Sequence, residues 1–219
     1  MNDLLFIKFA HVVGFAYWLG TDLAVFYTSY YVADSERSRD VRVTLAKVLF
    51  ALDQVPRMCM TMMLPSGVHL LWRFGLLDVG SVVVLLAWLL GFAWLAMVIL
   101  IHRVQSTPGK QWLTRIDLAL RLALVAGLLG FVSSNIATDS TMPYWANAKL
   151  AIFAGLITCG LIIRLRLLAF APAFARVAQG DTDAANESVL RASLGSTRPL
   201  VVLIWAGLLT SAAFGLHLI

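Results

Sequence analysis

Two histidines inside long apolar runs are the side chains of this sequence best suited to chemistry. His11 lies about 10 Å along the first run, and His69 lies about 7–8 Å from the end of the second. Antiparallel helices therefore bring both imidazoles to nearly one level. Lys149, in the fifth run, joins that layer, with Lys8, Arg73, Asn135, Tyr144 and His217 at its rim. Ionisable groups inside apolar spans are costly and mark function or a compensating partner. Paired imidazoles beside cations suit haem b, whose iron takes one nitrogen on each face while cations near water hold the propionates. On this reading His11 and His69 are the axial ligands. Arg73, one helical turn beyond His69 and closer to water, would hold propionates with Lys149 and Lys8, and Trp18 and Trp145 would pack near the ring. A His–Met pair through Met62 or Met63, or a single histidine ligand, meets the same need. Any one of these histidines taken alone also reads as a side chain snorkelling to a carbonyl, and His102, next to Arg103, is read that way.

A second polar layer lies further along the same runs. His11, Trp18 and Asp22 recur at spacings of seven and four, which puts them on one helical stripe. Asp53 and Arg57 are one turn apart around Pro56, where a bend is expected, and the fourth run carries Arg115, Asp117 and Arg121. The plain reading is that Asp22, Asp53 and Asp117 neutralise Arg57 and Arg121. The functional reading is a buried polar network of Asp22, Asp53, Arg57 and Arg121 that carries protons or anions toward a redox centre. Pro65-Ser66-Gly67, just before His69, is a weak turn that either opens room for a flat ligand or kinks the helix.

The elements that must position these residues are membrane helices. Of 219 residues, 60% are apolar and 13% charged, against roughly 45–50% and about 25% in an ordinary soluble domain. Six runs are long enough to cross a bilayer: Leu4–Tyr31, Thr44–Phe74, Ser81–Val104, Trp112–Ala137, Tyr144–Phe170 and Pro199–Leu218. They are continuous, without the period-two alternation of barrel strands. The first run has no basic residue before it and is interrupted by Asp22, so it reads as a retained span, not a signal peptide. The expected fold is all-α, a polytopic bundle of about six transmembrane helices in one domain, residues 1–219.

Basic residues orient it. Connection one carries Arg37, Arg39, Arg42 and Lys47; connection three carries Arg103, Lys110 and Arg115; connection five carries Arg164, Arg166, Arg176, Arg191 and Arg198. The other two connections offer only Arg73 and Lys149, so the odd-numbered ones are expected in the cytoplasm and both termini on the periplasmic side of a bacterial inner membrane. The cytoplasmic connection at about 171–198 is the one sizeable non-membrane piece. There Gly180-Asp181 ends one helix, and Asp181 or Thr182 caps a short surface helix, Ala184–Leu194. Small residues every fourth position (Gly207, Ser211, Gly215; Ala151, Gly155, Cys159) read as packing faces. Cys59 and Cys159 lie in apolar runs and imply no disulfide. No basic stripe interleaved with aromatics points to nucleic acid.

The stretch Ile7-Lys8-Phe9-Ala10-His11-Val12-Val13-Gly14 with Trp18 and Gly20, the later Trp145-Ala146-Asn147-Ala148-Lys149-Leu150, and, loosely, Pro65-Ser66-Gly67-Val68 resemble motifs of the HemJ/CopD-like group of small haem-binding membrane proteins. The resemblance implies haem b on His11 and a functional role for Lys149. The leading expectation is a haem b redox protein exchanging electrons with a lipid-soluble partner, a quinone or a porphyrin. One rival is a HemJ-like protoporphyrinogen oxidase. Another is a metal or small-solute transporter in which Asp22, Asp53, Arg57 and Arg121 line the route, with Met58, Met60, Met62 and Met63 available to Cu(I). Partners beyond the lipid bilayer would be a second copy or another membrane subunit.

Overall fold

The structure, a computed structural model, describes residues 2–104, 107–181 and 183–218. These form helices α1 (Asn2–Ala33), α2 (Arg39–Leu52), α3 (Gln54–Arg73), α4 (Ser81–Arg103), α5 (Thr107–Ala137), α6 (Tyr144–Arg166), α7 (Phe170–Ala178) and α8 (Ala184–Gly215). Five of them, α1, α4, α5, α6 and α8, are long and apolar enough to cross a membrane. Large apolar side chains face outward along them, as Leu85, Leu86, Leu89 and Phe92 do on α4. Water would not tolerate so much exposed apolar surface, and lipid does. The chain has the build of a multi-pass membrane protein.

Six helices close into a ring: α1 packs on α3, α3 on α4, α4 on α5, α5 on α6, α6 on α8, and α8 back on α1. One end of the ring, here the terminal end, carries both termini with the α3–α4 and α5–α6 connections; the opposite, connection end carries the other loops with α2 and α7. All six helices supply side chains to the middle. Trp18, Met60, Trp94, Ile157 and Leu208 are buried there, with Leu120 and Leu124 of α5 packed against them.

The second expected span, Thr44–Phe74, is two helices. The chain breaks at Asp53, three residues before Pro56, whose ring has no N–H for the Leu52 carbonyl one turn back and clashes with it, so the loosening expected around Pro56 is present as the α2–α3 break. The fifth span ends at Arg166, before Phe170, and α7 is separate. Gly180, at φ +97°, ends α7: the Gly180 N–H reaches the Val177 carbonyl and the Asp181 N–H the Arg176 carbonyl. The expected surface helix and last span are one continuous α8 that runs through Pro199. Its N-cap is Asp183, whose N–H bonds Asp181 Oδ1 at 3.0 Å; Thr182 lies outside the described residues.

A small cluster fastens the connection end. Arg42 of α2 reaches Glu187 of α8 with two guanidinium N–H bonds at 2.7 and 2.9 Å and donates its Nε–H to the Val32 carbonyl. Burial makes this fork–fork pair geometrically exacting, since neither charge has water to fall back on. Around it pack Val32, Leu49, Phe170 and Leu190. The small-residue faces hold in part. A β-carbon on Gly207 would lie 2.9 Å from Leu156 of α6, whereas Gly155 faces open space. The closest approach at any glycine described is elsewhere, at Gly91 of α4, where a β-carbon would meet the Pro65 ring of α3 at 2.6 Å.

Candidate functional site

His11 and His69 lie near the terminal end, but their rings are held by different neighbours. The hydroxyl of Ser66 donates to the Met62 carbonyl at 2.6 Å, so its oxygen accepts a proton from His11 Nδ1, 2.7 Å away. Nδ1–H fixes the neutral tautomer whose Nε2 carries a bare lone pair, the state in which imidazole binds a metal. His69 is set the other way. Trp88 donates its indole N–H to His69 Nδ1 at 3.0 Å, so in the neutral ring the proton is on Nε2.

In this arrangement the two rings do not both present a lone pair. The iron of a haem held by both rings needs two lone pairs about 4 Å apart across the macrocycle plane. In the tautomer set by Trp88, His69 Nε2 carries the proton and offers none. His11 lies directly on α3, bonded to Ser66 and with its Cε1 only 3.6 Å from where a Gly67 β-carbon would stand. Pro65-Ser66-Gly67 keeps α3 continuous and forms a packing node, with Pro65 against Gly91, Ser66 on His11, and Gly67 open to the imidazole.

Of the cations expected beside a haem, Lys149 has its ammonium against Gly215 and 5.4 Å from the Trp145 ring centre. Trp145 also meets the His217 ring edge-on at 5.5 Å. Arg73 turns instead to Asp3, 3.1 Å away, and Lys8 is exposed. Trp18 lies two turns from His11, buried in the middle of the ring. Among the described residues no three His, Cys, Asp or Glu side chains group closely enough to hold a metal.

The deeper polar layer does converge. A cavity of about 280 Å³ occupies the half of the ring toward the connection end, lined by residues that include Asp22, Asp53, Arg57, Asp117, Arg121, Arg164 and Arg198. Val98 and Ile163, on its wall, also belong to the apolar cluster around Trp18 and Trp94. Asp117 is the hub. Fully buried, it accepts the Trp94 indole N–H at 3.0 Å, the Arg121 Nε–H at 3.0 Å and an Arg164 N–H at 2.8 Å. Asp53 holds Arg57 at 2.6 Å. Among the described residues Asp22 pairs with no arginine; it accepts the Trp205 indole N–H at 3.2 Å. The neutralisation expected from spacing is therefore present for Asp53–Arg57 and Asp117–Arg121, and Asp22 stands apart.

Four cavity residues escaped sequence reasoning. Arg164, Arg198 and Lys110 carried only an orienting role there, and His102 was taken as snorkelling, yet all four line the cavity. Arg198 lies over the Tyr30 ring at 3.5 Å. Nothing in their spacing separates them from the other basic residues of those connections. Comparison with known proteins adds no assignment, because no protein-family model, no curated protein and no solved structure matches the chain.

Proposed function

We propose that this chain is a multi-pass inner-membrane protein that takes a small polar solute from the cytoplasm into its charged vestibule and passes it across the bilayer. One observation carries the reading: a ring of six helices holds a partly open cavity lined by paired and unpaired charges toward one end and a buried apolar cluster in its middle. Charges at membrane depth are costly, and where they line a shared cavity they mark a substrate or ion path. The solute would enter past Arg198 and Lys110 and meet the Asp53–Arg57 and Asp117–Arg121–Arg164 pairs. It would cross only when Trp18, Met60, Trp94, Ile157 and Leu208 part. Asp22, a carboxylate without a cation partner among the described residues, is the group freest to take up or release a proton as this happens. Purified protein in proteoliposomes should support flux of small solutes above protein-free vesicles, and Arg57→Gln should abolish it. Absence of flux across a panel of inorganic and organic ions overturns the reading.

The His11 tautomer supports a second reading, haem b held by one histidine. His11 Nε2 would be the ligand, Ser66 would orient the ring, and Lys149 would attract a propionate. Such a group supplies one-electron transfer to a quinone or a porphyrin, and a HemJ-like oxidation of protoporphyrinogen would use the same centre. Purified protein would then show a Soret band that His11→Ala removes and His69→Ala leaves. A band that needs both histidines, or no band, rules this single-histidine site out.

A further inference from the structure

We propose that the vestibule is a binding site for a phosphate group, held by Arg164 and Arg198 with Lys110 and Arg57 adding positive charge. The proposal rests on the vestibule identified above and names the class of solute it takes.

Two buried guanidinium nitrogens, Arg164 Nη1 and Arg198 Nε, have no hydrogen-bond partner among the described residues. Both side chains line the same cavity. Buried donors in native proteins are nearly always satisfied, and an unmet one calls for a ligand or water. Arg164 spends Nη2 on Asp117, leaving Nη1 free. Arg198 stacks on Tyr30, and a guanidinium lying over a ring keeps its N–H bonds in plane for a partner beside it.

The charge balance points the same way. The lining holds Arg57, Lys110, Arg121, Arg164 and Arg198 against Asp22, Asp53 and Asp117. Asp53 and Asp117 are taken by Arg57, Arg121 and Arg164, so Lys110 and Arg198 have no carboxylate within 4.0 Å among the described residues. The free donors come from α5, α6 and α8, more directions than a planar carboxylate can use and well matched to a tetrahedral oxyanion. A volume of about 280 Å³ takes a phosphate group and several waters or a short organic tail. The phosphate can come from solution, free or on a small metabolite, or from the headgroup of an anionic lipid in the adjoining leaflet.

The test is the thermal unfolding midpoint of the purified full chain in detergent, titrated with inorganic phosphate at constant ionic strength, with chloride as comparison. A saturable rise with phosphate and none with chloride is expected, since a ligand bound only by the folded state raises the midpoint. Arg198→Gln should weaken half-saturation about tenfold or more, and Lys110→Gln by a smaller factor. Arg37→Gln, a surface control paired with Asp34, should leave it unchanged. Should Arg198→Gln prove aggregated by size-exclusion chromatography, Lys110→Gln decides. A second arm compares nanodiscs of phosphatidylcholine alone with nanodiscs containing phosphatidylglycerol. A rise there that inorganic phosphate fails to produce assigns the site to a lipid headgroup. No saturable rise in either arm, or an equal rise in both vestibule variants, overturns the proposal. Phosphate binding without flux in proteoliposomes keeps the site and removes translocation; flux without phosphate binding does the reverse.

Discussion

Asp117 carries more of the bundle's electrostatics than any other side chain described. It neutralises one arginine on its own helix and a second on α6, and it also anchors the indole of Trp94. Its worth lies in what its loss leaves behind. Asp117→Ala strands Arg121, nearly buried, without a counter-charge, and breaking one side of a buried pair costs about 3–5 kcal/mol. Thermal unfolding in detergent should show a fall of that size. The double change Asp117→Leu with Arg121→Met removes both charges and should recover much of the loss, because Arg164 is partly exposed and can reach water. A double variant no more stable than the single one contradicts this account. The Asp117–Arg121 and Asp53–Arg57 pairs were legible in the sequence because a spacing of four sets two side chains on one face. Arg164 was not, since how one helix is turned against its neighbour leaves no trace in spacing. The partners of the two histidines were hidden for the same reason: depth gives their level, and rotation about the helix axis, which sequence does not show, gives one ring to Ser66 and the other to Trp88.

At the scale of the element, apolar length read well and boundaries did not. The five long spans follow from runs that only lipid can solvate. The break at Asp53 falls where Pro56 leaves the Leu52 carbonyl without its bond, whereas the continuity of α8 through Pro199 depends on neighbours, because a proline is tolerated in a helix whose surroundings compensate for the lost bond. The crossing of α3 and α4 gives a sharper case. Gly91 admits the rigid ring of Pro65, so Gly91→Ala forces the two helices apart and should cost about 1–3 kcal/mol of stability. Gly155, with open space where its β-carbon would stand, is the matched comparison. Gly155→Ala should be neutral or gain about 0.5–1 kcal/mol by lowering backbone entropy in the unfolded chain. Equal effects at the two glycines in thermal unfolding would show that this crossing is not tightly packed.

For the whole molecule, the distribution of charge decides which face the vestibule opens to. The connection end carries Arg37, Arg39, Arg42, Arg103, Lys110, Arg166, Arg176 and Arg191, while the terminal end carries Lys8, Arg73 and Lys149. Basic loops are retained in the cytoplasm, so the vestibule is expected to face inward and both termini outward. An alkaline phosphatase fused after Ile219 should then be active and a fluorescent protein fused there dark. The same orientation fixes what a thiol reagent can reach. With Cys59 and Cys159 replaced by alanine, Val201→Cys, on the vestibule wall, should react with a membrane-impermeant maleimide in inside-out vesicles and stay protected in intact spheroplasts. Leu208→Cys, within the apolar plug, should resist the reagent from both sides while the plug is shut. Reaction of Val201→Cys only from outside would invert the bundle and place the arginine-lined cavity on the opposite face. Free reaction of Leu208→Cys from either side would mean that the ring encloses a continuous aqueous path, and the apolar cluster could then no longer be the barrier that separates the vestibule from the layer of His11 and Lys149.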